Sequence, residues 1–226
     1  MKKILVAMSG GVDSAAACLL LRRQGYELGG ATMLLRDGGE AEAEDAQRAA
    51  EQMGIPFHLF EWKEAFQKRV IAPFTDIYRA GATPNPCVIC NGAMKFGLFL
   101  ERALALGYDG IATGHYARVA QENGRYVLKV AVDRPKDQTY VLCKLTQHQL
   151  SHTLFPLGDI ENKDAVRALA AEAGLELARK HDSQDICFVP DGDYMGYLTA
   201  HGLVPQKGNF ITPEGKILGE HRGLEA

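Results

Sequence analysis

Ser9-Gly10-Gly11-Val12-Asp13-Ser14 follows the apolar run Ile4-Leu5-Val6-Ala7-Met8, so two adjacent glycines stand where a strand turns into a helix. Without Cβ atoms, such a turn lets backbone N–H groups close on a phosphate. Ala15-Ala16-Ala17-Cys18-Leu19-Leu20-Leu21 reads as the helix; its N-terminus adds partial positive charge, with the Ser9 and Ser14 hydroxyls in reach. This is the pattern of a nucleotide pyrophosphate site. No lysine follows the glycines as a Walker loop requires, and the spacing of a dinucleotide fingerprint is missing.

Thiols form the second constellation. In Thr83-Pro84-Asn85-Pro86-Cys87-Val88-Ile89-Cys90-Asn91, the C-x-x-C spacing suits chelation of one metal or cluster, or dithiol exchange, and does not choose between them. The two prolines are expected to hold this segment as a rigid loop until a helix over 93–106 begins. Asp182-Ser183-Gln184-Asp185-Ile186-Cys187-Phe188 reads as a polar turn leading a cysteine into a strand-like segment. Cys187 is either a buried structural thiol or, beside Arg179-Lys180-His181, one whose thiolate is favoured. Cys18 and Cys143 read as core. His115 alone could be a hydrogen-bonded structural histidine, and Lys136-Asp137 an exposed ion pair.

The elements that must position these residues alternate. Strands over 27–35, with Met33 near its carboxyl end, 57–60 and 111–113 are separated by helices over 40–53, 62–79 (kinked or interrupted near Pro73) and 93–106. This predicts an α/β fold with a parallel sheet, helices on both faces and ligands at the strand carboxyl ends; strand order is not legible. Asn123-Gly124 signals a hairpin, expected as an insertion on the sheet edge. Helices over 138–142, 146–151 and 163–173, the last with Asn162 as N-cap and Gly174 at its end, are expected to form a helical appendage over about 135–205 of a domain spanning 1–205. Residues 206–226 read as the start of a β domain, with a hairpin around Pro213-Glu214-Gly215.

With 226 residues, 46% hydrophobic and 23% charged, the chain can bury its own core. Five cysteines, an odd number, argue against a disulfide scaffold, and no apolar stretch has the length of a membrane span or signal, so a cytoplasmic protein without a membrane partner is expected. A net charge of −3 means that a polyanionic partner needs a local basic face. Arg179, Lys180, Lys207, Lys216 and Arg222 could form one or be scattered surface charge.

The S-G-G-x-D-S pattern resembles the PP-loop of ATP pyrophosphatases, which adenylate a substrate oxygen and release pyrophosphate. Together with T-P-N-P-C-x-x-C-N, Ala112-Thr113-Gly114-His115-Tyr116, Lys136-Asp137-Gln138 and D-S-Q-D-I-C-F in this order, the chain resembles the tRNA-specific 2-thiouridylase family. That resemblance implies an adenine nucleotide alpha hydrolase-like domain. It also implies ATP-dependent replacement of the C2 oxygen of a tRNA wobble uridine by sulfur. Ala7, Met8, Ser9, Gly10, Gly11, Val12, Asp13, Ser14, Met33 and Gly114 would bind ATP, Asp13 acting through magnesium or a phosphate-bound water. Asn85, Pro86 and Cys87 match the target-base contact, and His115, Lys136, Asp137 and Gln138 match tRNA contacts. Cys90 and Cys187 match the two reactive cysteines.

Some members have aspartate where Cys87 stands, which leaves that residue's acid-base role open here. The thiols of Cys87, Cys90 and Cys187 resemble those of members holding a 4Fe-4S cluster; the rival is a persulfide relay from Cys187 resolved by Cys90, and structural zinc completed by His181 is a third option. A sulfur donor such as a cysteine desulfurase or a sulfur-relay protein is implied. The family usually continues into two β-rich domains, so the resemblance implies a fragment or a reduced member with weakened tRNA grip. Two other classes share these features: a PP-loop sulfurtransferase or amidotransferase for a small molecule, and a non-enzymatic ATP- and cluster-binding module.

Overall fold

The computed structural model describes residues 1–174, 186–189 and 191–223. In β1 (Lys3–Ala7), Ile4, Leu5 and Val6 are all buried, which requires a helical layer on each face of the sheet. β1 pairs in parallel with β2 (Glu27–Leu34) on one side and β4 (Gly110–Ala112) on the other. β3 (Phe57–Glu61) joins beyond β2, and β7 (Thr153–Leu154) beyond β4. In the resulting order, β3-β2-β1-β4-β7, the winding reverses between β1 and β4, so the loops leaving their carboxyl ends diverge and leave a crevice.

Alternate residues of the strands serve opposite layers. Ile4 and Val6 share a core with Cys18 and Leu21 of α1 (Val12–Arg23) and with Ala46, Ala49 and Ala50 of α2 (Glu40–Gln52). Burial at 43, 46, 49 and 50 with Glu44 and Glu51 exposed is the helical stripe the sequence shows. Leu5, Ala31 and Ile111 face the other way, into Phe96, Phe99, Leu100 and Ala103. The 62–79 expectation becomes a helical run, Lys63–Phe66, a π-helical stretch Gln67–Ile71, then Ala72–Arg79. The widened turns end just before Pro73, whose nitrogen has no hydrogen for the carbonyl four residues back.

The thiol segment departs from the loop expected for it. Asn85 caps a helix, its side-chain oxygen accepting from the Cys87 and Val88 amides at 3.1 and 3.4 Å, and Pro86 takes the first helical position, where no N–H is needed. Pro86–Cys90 continues through a π-helical Asn91–Leu98 into Phe99–Ala105. Cys187 and Phe188 lie in a turn closed by Val189 N–H donating to the Ile186 carbonyl at 2.8 Å, not in a strand. Cys143 is exposed rather than core, because Val141 and Leu142 take the buried positions of its turn.

β5 (Ala117–Glu122) and β6 (Arg125–Val130) form the expected hairpin, with Asn123 and Gly124 at φ of 50° and 76°. It is a separate two-stranded sheet, because the edge beside β4 is taken by β7. The helices expected as an appendage join the main body. Helix Lys163–Glu172, capped by Asn162, buries Val166, Leu169 and Ala170 against Val12 and Ala16 of α1. Helix Tyr194–Ala200 packs Tyr197 and Leu198 with Phe66, Phe74 and Phe188. β8 (Gly208–Ile211) and β9 (Ile217–His221) form the last hairpin, as the Pro-Glu-Gly turn predicts.

Gly158 locks the β5–β6 hairpin in place, since a Cβ there would lie 1.9 Å from the Ala117 carbonyl oxygen. Gly158→Ala should therefore cost about 1–3 kcal/mol in urea unfolding, the range for overpacking. An unchanged midpoint would show that this contact is not rigid.

Candidate active site

The crevice between β1 and β4 is a cavity of about 840 Å³. Ala7, Met8, Ser9, Gly10, Gly11, Val12, Asp13 and Ser14 line it, as do Met33 and Gly114, so the structure brings together all ten residues matched to the nucleotide. Gly10 has φ +67°, and a Cβ on it would sit 2.6 Å from the Glu42 carbonyl oxygen. At Gly114 a Cβ would come within 2.9 Å of the Asp13 and Ser14 backbone, so only glycine lets the end of β4 press against the loop. The buried Ser14 hydroxyl donates to the Gly11 carbonyl at 3.0 Å and accepts from the Ser9 amide at 3.2 Å, which fixes the loop. Gly11 caps α1 without a side chain, leaving the first-turn amides for an anion. Glu42, on the same wall, has Oε2 buried with no hydrogen-bond partner, an acceptor available to a ligand hydroxyl or amine.

Asp13 places a carboxylate in this cradle, where alone it would repel phosphate. Lys163 neutralises it, with Nζ 2.7 Å from both carboxylate oxygens, and the Tyr116 hydroxyl donates to Oδ1 at 2.9 Å. The Lys163 side chain is only 10% exposed and opens its helix directly beside the cavity. Neither Lys163 nor Tyr116 stands in the sequence-derived site. The pair spans 150 positions, so no local pattern marks it.

Of the three thiols, Cys187 lines this cavity. Burial pushes the Cys90 thiol up to about 11 against the pull of Lys95, and Cys187 and Cys87 add to the rise. Cys187 keeps exposed surface and lines the nucleotide cavity; even so, desolvation dominates and raises its thiol, with Lys95 and Arg36 opposing and Cys87 adding. Burial thus outweighs Lys95 and Arg36 at Cys187; Arg179, Lys180 and His181, from which thiolate-favouring surroundings are expected, lie outside the described residues. Phe188 anchors the turn, with ring centroids 5.2 to 5.7 Å from Phe74, Tyr197 and Phe66. Among the described residues no three His, Cys, Asp or Glu side chains form a single-ion site.

His115 is buried, its Nδ1 2.7 Å from the Thr113 hydroxyl, and burial holds it well below the usual histidine range, with Lys95 adding to the effect. It therefore meets the cavity as a neutral ring. Lys136 and Gln138 also line the cavity. Between them the Asp137 carboxylate is engaged with its own loop, accepting from the Ala131 amide at 2.8 Å and the Thr139 hydroxyl at 2.5 Å. Asn85 is exposed but its side-chain oxygen caps the thiol helix, and Pro86 is buried beneath it. Lys95, missed by sequence, lies in the π-helical stretch and lines the cavity.

Residues 2–191 match the family described as the tRNA methyl transferase HUP domain. The chain belongs to that family. This HUP-domain chain is 46% identical over 236 residues to tRNA-specific 2-thiouridylase MnmA of Clostridium acetobutylicum, covering 99% of itself and 66% of that relative. It is likewise 46% identical to tRNA-specific 2-thiouridylase MnmA of Clostridioides difficile, covering 99% of itself and 65% of the relative. The HUP-domain chain thus spans about two thirds of the length of these relatives. Glutamine-dependent NAD+ synthetase from Acinetobacter baumannii in complex with ADP shares the fold, with a TM-score of 0.50, 14% identity, and 89% of this chain and 38% of that one covered.

Lys163→Met leaves the Asp13 charge unpaired beside the cradle and should weaken ATP binding by about 1–2 kcal/mol, roughly tenfold, in calorimetry. Asp13→Asn and Lys163→Met should be strongly non-additive; additive losses would mean the pair is not a unit. For Cys90, with an ordinary value near 9 and a folded value of about 11, stabilisation is intact below pH 9 and lost as the pH rises towards 11. Its iodoacetamide labelling in metal-free protein should climb over the same window, and fast labelling at pH 7 would contradict that burial.

Proposed function

We propose that this protein is the ATP-dependent catalytic part of a tRNA-uridine 2-sulfurtransferase. The observation that carries the reading is that Cys187 lines the same cavity as the phosphate cradle, so a sulfur carrier and an adenylating site share one space. The names of the 46% identical relatives point to the same chemistry.

The C2 oxygen of uridine belongs to a urea-like carbonyl and is a poor leaving group. Attack of that oxygen on the α-phosphorus of ATP expels pyrophosphate and converts it into AMP, a good one. The loop 7–14 would hold the phosphates through backbone amides, with Met33 and Gly114 closing on the nucleotide. Magnesium, when bound, would neutralise charge on the phosphates, and Asp13, both of whose oxygens are held by Lys163, would act on it through a phosphate-bound water. Lys163, paired with Asp13, and Lys95 line the same cavity wall. Neutral His115, with Lys136 and Gln138, would meet the nucleotide chain of the tRNA, and Asn85, Pro86 and Cys87 would lie near the target base; Asp137 would act by shaping that loop.

Sulfur then attacks C2 and AMP leaves. Cys87, Cys90 and Cys187 would hold a 4Fe-4S cluster, which when bound supplies an open iron position for hydrosulfide. The C-x-x-C spacing of Cys87 and Cys90, with Cys187 as a third thiol, supports this reading. A second reading has Cys187 carry a persulfide whose outer sulfur attacks C2, with Cys90 then forming a disulfide with Cys187; the place of Cys187 between two cavities favours it. Either way a donor such as a cysteine desulfurase or a relay protein must replenish the sulfur. No helix among the described residues is long and apolar enough to cross a membrane.

Anaerobically reconstituted protein should form 2-thiouridine in unmodified tRNA with ATP, and an iron-free sample should not. Equal activity without iron would remove the cluster, and no thiolation in either sample would argue against the sulfurtransferase reading. Cys87→Ser should abolish activity if the cluster operates and spare most of it if the persulfide relay does.

A further inference from the structure

A second cavity of about 310 Å³ lies behind the thiol turn. Among the described residues, Cys187 alone lines both this cavity and the nucleotide cavity. Its neighbour Phe188 is packed among Phe66, Phe74 and Tyr197, which anchors the turn that places Cys187 on both walls.

The second cavity has its own chemistry. Arg36 and Lys63 on its wall outnumber Asp37, and Gln67, Tyr197 and His201 supply polar edges. The cations are held in place: Arg36 bonds Glu42 at 2.8 Å, and Lys63 bonds Asp37 and Glu40 at 2.6 and 3.1 Å. His201 is fixed by its Nδ1, 2.8 Å from the Tyr197 carbonyl oxygen, which leaves Nε2 for another partner. Nothing in the nucleotide chemistry uses these groups.

We propose that this second cavity is a loading port, through which a donor bearing a terminal persulfide delivers its outer sulfur to Cys187. The proposal rests on the second reading above, in which Cys187 carries a persulfide. The Cys187 sulfur attacks the outer sulfur of R–S–SH, a sulfur–sulfur bond forms as the donor's breaks, and the departing R–S⁻ takes up the proton that the Cys187 thiol gives up, so that R–SH leaves. One thiol and one persulfide give one persulfide and one thiol, so no oxidant or reductant is needed. Arg36 stabilises the charge that passes from the attacking to the departing sulfur. Loading from behind and discharge in front would let ATP and tRNA remain bound while sulfur arrives.

The test uses the full chain, free of iron and kept anaerobic, with cysteine persulfide as the probe and alkylation followed by mass spectrometry to count persulfide on Cys187. A saturating non-hydrolysable ATP analogue should leave the loading rate within about twofold, whereas Gln67→Trp, a bulky replacement on the port wall, should slow it by about tenfold or more. Loading blocked by the analogue, or unaffected by Gln67→Trp in a variant that still binds ATP, would overturn the port. The analogue arm uses wild-type protein, so it decides the matter even if Gln67→Trp does not fold. A persulfidated tetrapeptide in parallel distinguishes a protein-borne donor from a free thiol compound, and no loading from either overturns the proposal. Wild-type protein that loads but never thiolates tRNA would instead defeat the sulfurtransferase reading and leave the port standing.

Discussion

The ion pair between Asp13 and Lys163 is the constraint on which the active cavity depends. A carboxylate in the first turn of α1 suits the helix dipole but opposes any phosphate bound there, and a half-buried charge of this kind is tolerated only with a partner. Lys163 comes from a helix whose apolar side packs on α1, so the pairing follows from the packing of two helices rather than from loop geometry. Tyr116, leaving β4, ties the third element to the same carboxylate. Loop, strand end and distant helix are thereby held in register around one negative charge.

The thiol side obeys the opposite rule. There burial exceeds the influence of the nearby cations, and Cys90 and Cys187 are kept as neutral thiols in the absence of a bound positive charge. Lys95, from the widened part of its helix, influences Cys90, Cys187 and His115 together. One lysine therefore couples the electrostatics of the carrier thiols to those of the neutral histidine on the cavity wall.

Much of this was legible in the sequence because its causes are local. The glycine turn after an apolar strand, Met33 at the end of β2 and Gly114 at the end of β4 each sit where strand termini must place them, and the Asn-Gly hairpin follows from two positive φ values. Asn85-Pro86 was legible but ambiguous: the residues that break a helix in its interior are those that start one, and only the amides of Cys87 and Val88 reveal which applies. β7, with two residues, is too short to show a period. Lys163 and the second cavity have no local signature, since their partners are brought together by tertiary packing alone.

The π-helical stretch from Asn91 to Leu98 sets the angle between two functions of one helix. Its N-terminal end carries Cys87 and Cys90, while its C-terminal end turns Phe99 and Leu100 into the sheet. Each residue advances an α-helix by about 100°, so the looser winding here acts as a phase offset between the thiol end and the anchored end. The carbonyl of Gly92 in this stretch is taken up by the Gln149 side chain. A chain with the same residues but regular winding would keep its core and its cysteines, yet aim the cysteines at a different quadrant of the molecule.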